Sequence, residues 1–306
     1  MAPNQVPLPP DVSQEFTAVA HGSRLAKYML DLCGDPAPNS NFQQVNELYP
    51  YEKVSDRARH YLNAALEHMV FWADLAAPFK FHPEQTVTFT LRPSLALARA
   101  ALESSAQAVW LMDTVDPLEC VRRHLSLIRW DLVEHRKSYL DHSSKARIKQ
   151  RDTQLLTRIH EVFDEEQVAP PQGYLYIIQE ACKPSDLRIN AEDTERLWRA
   201  MSGAAHGMYW TNLDLTQVEV GEEYEEGQYR TITYPDPAAM VASLDTSLAM
   251  TQYGVLKYLY NAGADITELQ NTASRQLAQK IPFKPDADPD LVEKILGERS
   301  STLRET

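Results

Sequence analysis

The sequence predicts a mainly α-helical fold that carries one β-hairpin. Apolar residues recur at helical spacing through several long segments, which is typical of helices that bury one face. A single segment near residues 217–234 alternates instead between β-branched or aromatic residues and polar ones, which favours two strands. With 306 residues, 43% of them hydrophobic, the chain is long enough to enclose a sizeable core.

The helices are located by the spacing of their apolar residues and by the residues that end them. The clearest pattern starts at Leu91, where one apolar face continues for about five turns. Ser55 is expected to be the N-terminal cap of the helix predicted at 55–77. Asn190 or Asp193 is expected to cap the helix predicted at 194–206. The predicted helices cover about residues 13–32, 55–77, 91–113, 117–166, a short stretch from 173, 194–206 and 236–263.

The domain organisation follows from where this periodicity starts and stops. Residues 1–12 are proline-rich and are expected to form a loose arm. Residues 13–263 form the helical domain, with the hairpin as an insertion at 215–234 and the acidic sequence GEEYEEG as its turn. Residues 264–306 are read as a polar tail with one or two short helices, and residues 86–89 as a short strand.

Composition limits the function classes. The net charge of −13 argues against a protein that coats nucleic acid or anionic lipid with its whole surface. The 3 cysteines are far apart, so neither a zinc site nor a disulfide framework is expected. No signal peptide and no apolar run long enough for a membrane span is found, which predicts a cytoplasmic protein without a membrane partner. No phosphate-loop, dinucleotide or zinc-hydrolase motif is present, and no cofactor or metal is expected.

One basic stretch stands out in this acidic chain. Between Arg122 and Arg151 there are nine lysines and arginines against three acidic residues. A solvated helix face explains such a run, and so does a track for the phosphate backbone of RNA. Both interpretations stay open at the level of sequence, and Arg122 and Arg129 are the candidate contacts for the RNA track.

The segment TERLWRAMSGAAHGMYW contains the strongest candidate site. Arg199 and His206 are separated by seven residues, which is about two turns, so both side chains are expected on one helix face with Ser202 between them. An arginine can stabilise charge on a phosphodiester and a histidine can transfer a proton. The same residues can also form a polar lining without chemistry.

A second candidate pair lies on the helix predicted at 91–113. Arg99 and Glu103 are four residues apart and are expected to interact on one helix face. This pair is either a salt bridge on or between helices or a part of the site that contains Arg199.

The sequence LWRAMSGAAHG resembles the Arg-x(4–6)-His signature of HEPN domains, and LRPSLALARAALESSAQAVWLMD is similar to the arginine–glutamate helix of related bacterial families. The resemblance implies a HEPN-like helical bundle and a metal-independent RNA endonuclease of a toxin or phage-defence system. It also implies a homodimer with RNA, or an antitoxin or other protein, as partner. The implied catalytic residues are Arg199 and His206, and the implied substrate-binding residues are Ser202, Arg99, Glu103, Arg122 and Arg129.

Two alternatives accompany this interpretation. Active HEPN nucleases carry a polar residue after the arginine, whereas this chain has Ala200. A non-catalytic interaction protein on the same scaffold is therefore the second hypothesis. The third is an unrelated helical enzyme with a small-molecule pocket that would be lined by Trp72, Trp110, Trp198 and Trp210.

Overall fold

The computed structural model describes residues 8–79, 89–184, 186–187 and 189–281. In this part of the chain eleven α-helices and one two-stranded antiparallel sheet are formed, which confirms the mainly α-helical fold with a hairpin. The elements are α1 Pro10–Leu32, α2 Asn41–Leu48, α3 Val54–Ala76, α4 Leu91–Met112, α5 Pro117–Ser138, α6 His142–Ile159, α7 Tyr174–Ala181, α8 Ala191–Ala205, α9 Thr211–Leu215, β1 Thr216–Glu225, β2 Gln228–Pro235, α10 Pro237–Asn261 and α11 Ile266–Ala278.

The core lies between α1, α3, α4 and α10, which pack against one another. Helix α4 is central, because it contacts α3, α5, α7, α8 and α10. The apolar stripes predicted for α3 and α10 are confirmed, since each predicted member is buried. On α4 the same holds from Leu95 onward, and Leu91 is half-buried. The buried members of the three stripes are Tyr61, Ala65, Met69, Trp72, Leu95, Ala98, Leu102, Ala106, Val109, Met240, Leu244, Leu248, Val255 and Leu259.

Two helix starts were tested by the structure, with opposite outcomes. The predicted Ser55 cap is wrong, because α3 already begins at Val54 and Ser55 is buried. Its hydroxyl instead accepts a hydrogen bond from the Asn46 amide of α2 at 2.9 Å. Of the two predicted caps of α8, Asn190 is confirmed, since its side-chain oxygen accepts from the backbone N–H of Glu192 and Asp193, whereas Asp193 lies inside the helix.

The long helix predicted at 117–166 is divided, so the prediction of continuous helix is wrong there. Helix α5 ends at Ser138, and the Asp141 side chain starts α6 by accepting from the backbone N–H of Ser144 at 2.7 Å. The break lets α6 pack back on α5 with Ile148 and Leu155 buried. An amphipathic pattern continues through such a break, because both helices need an inward face.

The hairpin is confirmed, but its strands extend further than predicted. Most of GEEYEEG belongs to β1, and the turn is confined to the residues around Gly227, whose φ is +73°. The pairing sets Val218 opposite Thr233 and Val220 opposite Thr231. An irregularity follows between Val220 and Glu223. Strand β1 contacts α9, and the side chains of both strands are exposed along most of their length.

The described ends of the chain are helical. Helix α1 begins at Pro10, so residues 10–12 of the predicted arm belong to it, and residues 1–7 lie outside the described part. The predicted tail starts with α11, which packs against α1 and buries Ala273 and Leu277. The strand predicted at 86–89 and the helix predicted at 288–298 fall on residues outside the description, apart from Phe89.

Candidate functional site

Helix α8 carries the predicted site on its exposed face. Its opposite face buries Leu197, Met201 and Ala204 in the core, and α8 contacts α4, α7 and α9. Gly203 permits the α9 contact, because a Cβ there would lie 2.5 Å from the Thr211 methyl group. The helix ends where expected: His206 is the C-terminal cap residue and Gly207 follows with a φ of +71°.

His206 is exposed and lies next to an arginine, but that arginine is Arg99 of α4. The Arg99 Nη1 atom lies 3.4 Å from His206 Nε2, so the guanidinium can donate to a neutral imidazole. Arg99 also donates from Nε to Glu103 Oε1 at 2.8 Å. The same carboxylate oxygen accepts from the Trp198 indole N–H at 2.8 Å. We call Arg99, Glu103, Trp198 and His206 the α4–α8 cluster.

This cluster joins two helices that are distant in sequence. The Glu103 carboxylate takes hydrogen bonds from its own helix and from α8, and its side chain is only 13% exposed. The Arg99 guanidinium also lies over the Trp198 ring, 5.9 Å from its centre. The predicted Arg99–Glu103 salt bridge is therefore present, and it lies beside His206. The interpretation of this pair as a salt bridge is therefore confirmed, and no contact joins the pair to Arg199 in the described residues.

Arg199 is not a member of this cluster. It donates to Glu195 Oε1 from Nε and Nη2, each at 2.8 Å, and its side chain is 55% exposed. The hydrogen bonds from Arg199 and from Gln179 lower the pKa of Glu195. Arg199 and His206 share the exposed side of α8 about 10 Å apart along its axis, and no contact joins them in the described residues.

Ser202 lies between Arg199 and His206 on α8 and is half-buried. Its backbone carbonyl accepts from the His206 N–H at 3.1 Å. Within the described residues its hydroxyl makes no hydrogen bond, so the hydroxyl is free to meet a ligand on this face.

The two arginines of α5 that were candidates for RNA contact are both engaged within the chain. Arg122 donates to Glu119 and to the backbone carbonyl of Gln167 at 2.9 Å. Arg129 is 8% exposed and bonds Asp152 and Glu165, each at 2.9 Å. Arg129 thus holds residues 165–168 against α5. Its guanidinium has almost no exposed surface with which to contact a phosphate.

Four cations at the C-terminal end of the basic stretch differ from these. Lys145, Arg147, Lys149 and Arg151 lie on α6, and all but the half-buried Lys145 are exposed. Within the described residues none of the four forms an ion pair. Residues two apart on a helix differ by about 200°, so Lys145 and Lys149 lie on one side of α6 and Arg147 and Arg151 on another.

A separate cleft of about 900 Å³ lies between α2, α10 and the loop that joins α4 to α5. Lys257 lines it and binds Asp113 at 2.7 Å and the Tyr253 hydroxyl at 3.2 Å. The Tyr253 hydroxyl donates to Asp186 at 2.9 Å. In this cleft Lys257 and Asp113 therefore neutralise each other, and no member of the α4–α8 cluster lines it.

All three cysteines are free and buried, and burial raises the pKa of Cys120 to about 12, which makes its thiol a poor nucleophile. Among the described residues no group of three or more His, Cys, Asp or Glu side chains is placed to hold a metal ion. No described helix combines the length and hydropathy needed to cross a membrane.

The four tryptophans predicted to line a small-molecule pocket have different surroundings. Trp72 and Trp110 are core residues with exposures of 2% and 4%. Trp198 bonds Glu103, and Trp210 is exposed. Their contacts divide them among separate neighbours, since Trp72 packs on Phe16 and Trp110 on Tyr176, with the Arg123 guanidinium over its ring.

Two features of this region lay beyond sequence reasoning. One is the contact of Arg99 with His206 across 107 positions, and the other is Tyr174 at the start of α7. Burial and the nearby Glu103 carboxylate raise the pKa of Tyr174, and its ring packs on Trp130. Only the arginine–glutamate spacing on α4 signalled that this helix contributes to the site.

Comparisons with protein-family models, curated proteins and solved structures found no match to this chain.

Proposed function

We propose that this chain is a HEPN-like cytoplasmic protein that cleaves RNA at the α4–α8 cluster without a metal ion, in a toxin or phage-defence system. The observation that carries the proposal is the exposed His206 imidazole with the Arg99 guanidinium 3.4 Å away. A proton-transfer group beside a fixed cation is what phosphodiester cleavage requires. Arg199 and the free Ser202 hydroxyl on the same side of α8 extend the surface along a bound strand.

In the proposed reaction the RNA 2′-oxygen attacks the adjacent phosphorus. The 2′-O–P bond forms and the P–O5′ bond breaks, which leaves a cyclic phosphate and a 5′-hydroxyl. His206 accepts the proton of the 2′-hydroxyl or supplies the one that the leaving oxygen needs. Arg99 stabilises the negative charge that develops on the phosphate oxygens, as Arg199 would once a phosphate displaces its Glu195 partner.

A homodimer completes this proposal. A single chain offers one imidazole, whereas the reaction needs one group that removes a proton and another that supplies one. Two copies with their α8 surfaces facing each other would provide two imidazoles and four arginines around one RNA strand.

The test compares wild type with His206→Ala, Arg99→Ala and Arg199→Ala on labelled RNA with a chelator present. We expect cyclic-phosphate products from wild type and a loss of at least about 100-fold in rate for His206→Ala, in the range typical of a general acid–base group. Arg196→Ala is the matched control, because Arg196 is an exposed arginine of the same helix. Equal cleavage by wild type and His206→Ala would contradict the proposal, as would cleavage of the 2′-deoxy analogue.

The second candidate is a non-catalytic interaction protein, and one observation favours it. Arg99 and Arg199 are each neutralised by a carboxylate, Glu103 and Glu195 respectively, so the site is electrostatically satisfied without a ligand. Under this alternative the α4–α8 cluster holds two helices together, and the exposed surfaces bind an antitoxin or another protein. It predicts that Glu103→Gln lowers the free energy of unfolding. It also predicts that labelled RNA stays intact with wild type and with every site variant.

A further inference from the structure

Exposed aromatic and apolar side chains follow His206 directly along the chain. Tyr209 and Trp210 are exposed by 78% and 40%, and Met208 and Leu213 are exposed as well. All four belong to the turn after α8 or to α9. Several large apolar side chains that are close in sequence and exposed together indicate a binding surface.

The turn between α8 and α9 holds Trp210 in a fixed position. The Met208 N–H donates to the Gly203 carbonyl oxygen at 2.8 Å, and the Thr211 hydroxyl donates to the Met208 carbonyl oxygen at 2.7 Å. The Trp210 ring lies against Gly203, because a Cβ on that glycine would be 2.9 Å from Trp210 Cζ2. The indole is therefore positioned by the backbone of α8 before a ligand binds, which lowers the entropic cost of binding.

This arrangement places the indole beside the α4–α8 cluster. Gly203, on which the ring packs, lies three residues before His206, which is about 4.5 Å along the helix axis. The part of the indole that does not pack on Gly203 is open to solvent. A base next to a phosphate bound at His206 is therefore within reach of the Trp210 ring.

The chemistry of the surface indicates which part of an RNA strand it contacts. Uncharged aromatic rings do not attract phosphates, whereas they stack on the flat faces of unpaired bases. The positive charge that a phosphate needs is supplied by Arg99, next to His206. The α4–α8 cluster thus offers a phosphate contact, and the turn after α8 offers a base contact.

We propose that the Trp210 indole stacks on an unpaired base of an RNA strand whose phosphate lies at His206. The inference rests on the proposed function, because it takes RNA as the ligand, but it concerns binding and not cleavage. Since every base has a π-face, the contact tolerates any base sequence. Bases inside a duplex already stack on each other, so the contact requires an unpaired strand.

The test measures binding to two oligonucleotides by fluorescence anisotropy. The first is a short single-stranded RNA with methylated 2′-hydroxyls, which cannot be cleaved by attack of the 2′-oxygen. The second has the same backbone without any base. Wild type is compared with Trp210→Ala, Trp210→Phe and Trp210→Leu. Tyr260→Ala is the matched control, because Tyr260 is an exposed aromatic residue that lines the separate cleft next to α10.

We expect Trp210→Ala to bind the base-bearing strand about 10-fold more weakly, in the range of one stacked base, and to bind the abasic strand as wild type does. Trp210→Phe should retain most of the affinity. Trp210→Leu should lose as much as the alanine variant, because leucine is apolar but has no ring to stack. Tyr260→Ala should bind both strands like wild type, and circular dichroism checks that each variant is folded.

Three results overturn the stacking proposal. They are a wild type that does not bind the base-bearing strand, an equal loss of affinity for both strands in Trp210→Ala, and full affinity in Trp210→Leu, which would indicate a merely apolar contact. Failure of stacking and failure of cleavage are distinguishable. Cleavage that depends on His206 but not on Trp210 refutes stacking alone. Binding that depends on Trp210, with unmethylated RNA left intact, refutes cleavage alone.

Discussion

At the scale of single residues, His124 shows how burial sets chemistry in this chain. Its side chain is fully buried, Nε2 lies 2.9 Å from the Glu52 carbonyl oxygen, and Nδ1 has no hydrogen-bond partner in the part of the chain that the structure describes. Burial lowers the pKa of His124 to about 3, and the charge of Arg57 acts in the same direction. The imidazole is therefore a neutral structural group, in contrast to the exposed His206.

This depressed pKa makes stability depend on pH. Below about pH 6.5 the unfolded chain binds a proton at His124 that the folded chain does not, so stability falls as pH decreases toward the folded pKa. We expect His124 to account for a loss of about 2 kcal/mol in the free energy of unfolding between pH 7 and pH 5.

Urea unfolding of wild type and His124→Gln at pH 7 and pH 5 measures this change in the free energy of unfolding. The variant should be less stable than wild type at pH 7, but its free energy of unfolding should fall less between pH 7 and pH 5. If the free energy of unfolding fell equally with pH in the two proteins, His124 would not contribute to the pH dependence of stability.

At the scale of elements, the start of α8 is determined by residues that are close to it in sequence. The Asn190 side chain meets two backbone N–H groups that the helix itself cannot satisfy, at 2.8 and 3.0 Å. Asp193 and Glu192 add negative charge to the first turn, where the helix dipole favours it. These residues are adjacent in sequence, which is why the cap could be predicted.

Removal of this cap should weaken α8 and the cluster it carries. We expect Asn190→Ala to cost about 1 kcal/mol in free energy of unfolding, and Asn190→Asp to cost much less because aspartate also caps well. Denaturant unfolding measures both. Hydrogen exchange at the backbone N–H groups of 192 and 193 should accelerate in the alanine variant, and equal exchange in all three proteins would contradict the role of the cap.

At the scale of the whole molecule, the helices approach so closely that some positions admit no side chain. Gly254 of α10 faces α3 and α4, and a Cβ there would lie 2.8 Å from Leu62 Cδ2 and 3.4 Å from Val109 Cγ2. Leu62 and Val109 are fully buried, so neither side chain has free space to move into.

Gly254→Ala sets helix propensity against packing. Alanine favours a helix interior over glycine by about 1 kcal/mol, whereas overpacking a tight core costs about 1–3 kcal/mol. We expect packing to prevail and the variant to be destabilised. In a Leu62→Ala background the same change should become neutral or stabilising, because the cavity accepts the methyl group. A double-mutant cycle measures this coupling, and additive effects would contradict the close approach.

The sequence alone determined the features that depend on neighbours along the chain. Apolar spacing located α3, α4 and α10 to within about two residues, and alternation located the hairpin. The Asn190 cap and the end of α8 near His206 followed from residues within one or two turns. Where a local signal competed with a tertiary partner, as at Ser55 with Asn46, the prediction failed.

Only the tertiary structure decided which charges meet. It placed Arg99 beside His206 and used Arg129 to hold residues 165–168 on α5, whereas Glu195 and Arg199 form an i, i+4 pair within α8. Helical periodicity states which face a side chain occupies, but the partner on that face depends on how distant helices pack. The composition of the candidate site is for this reason a property of the folded bundle, whereas the positions of its helices are properties of the chain.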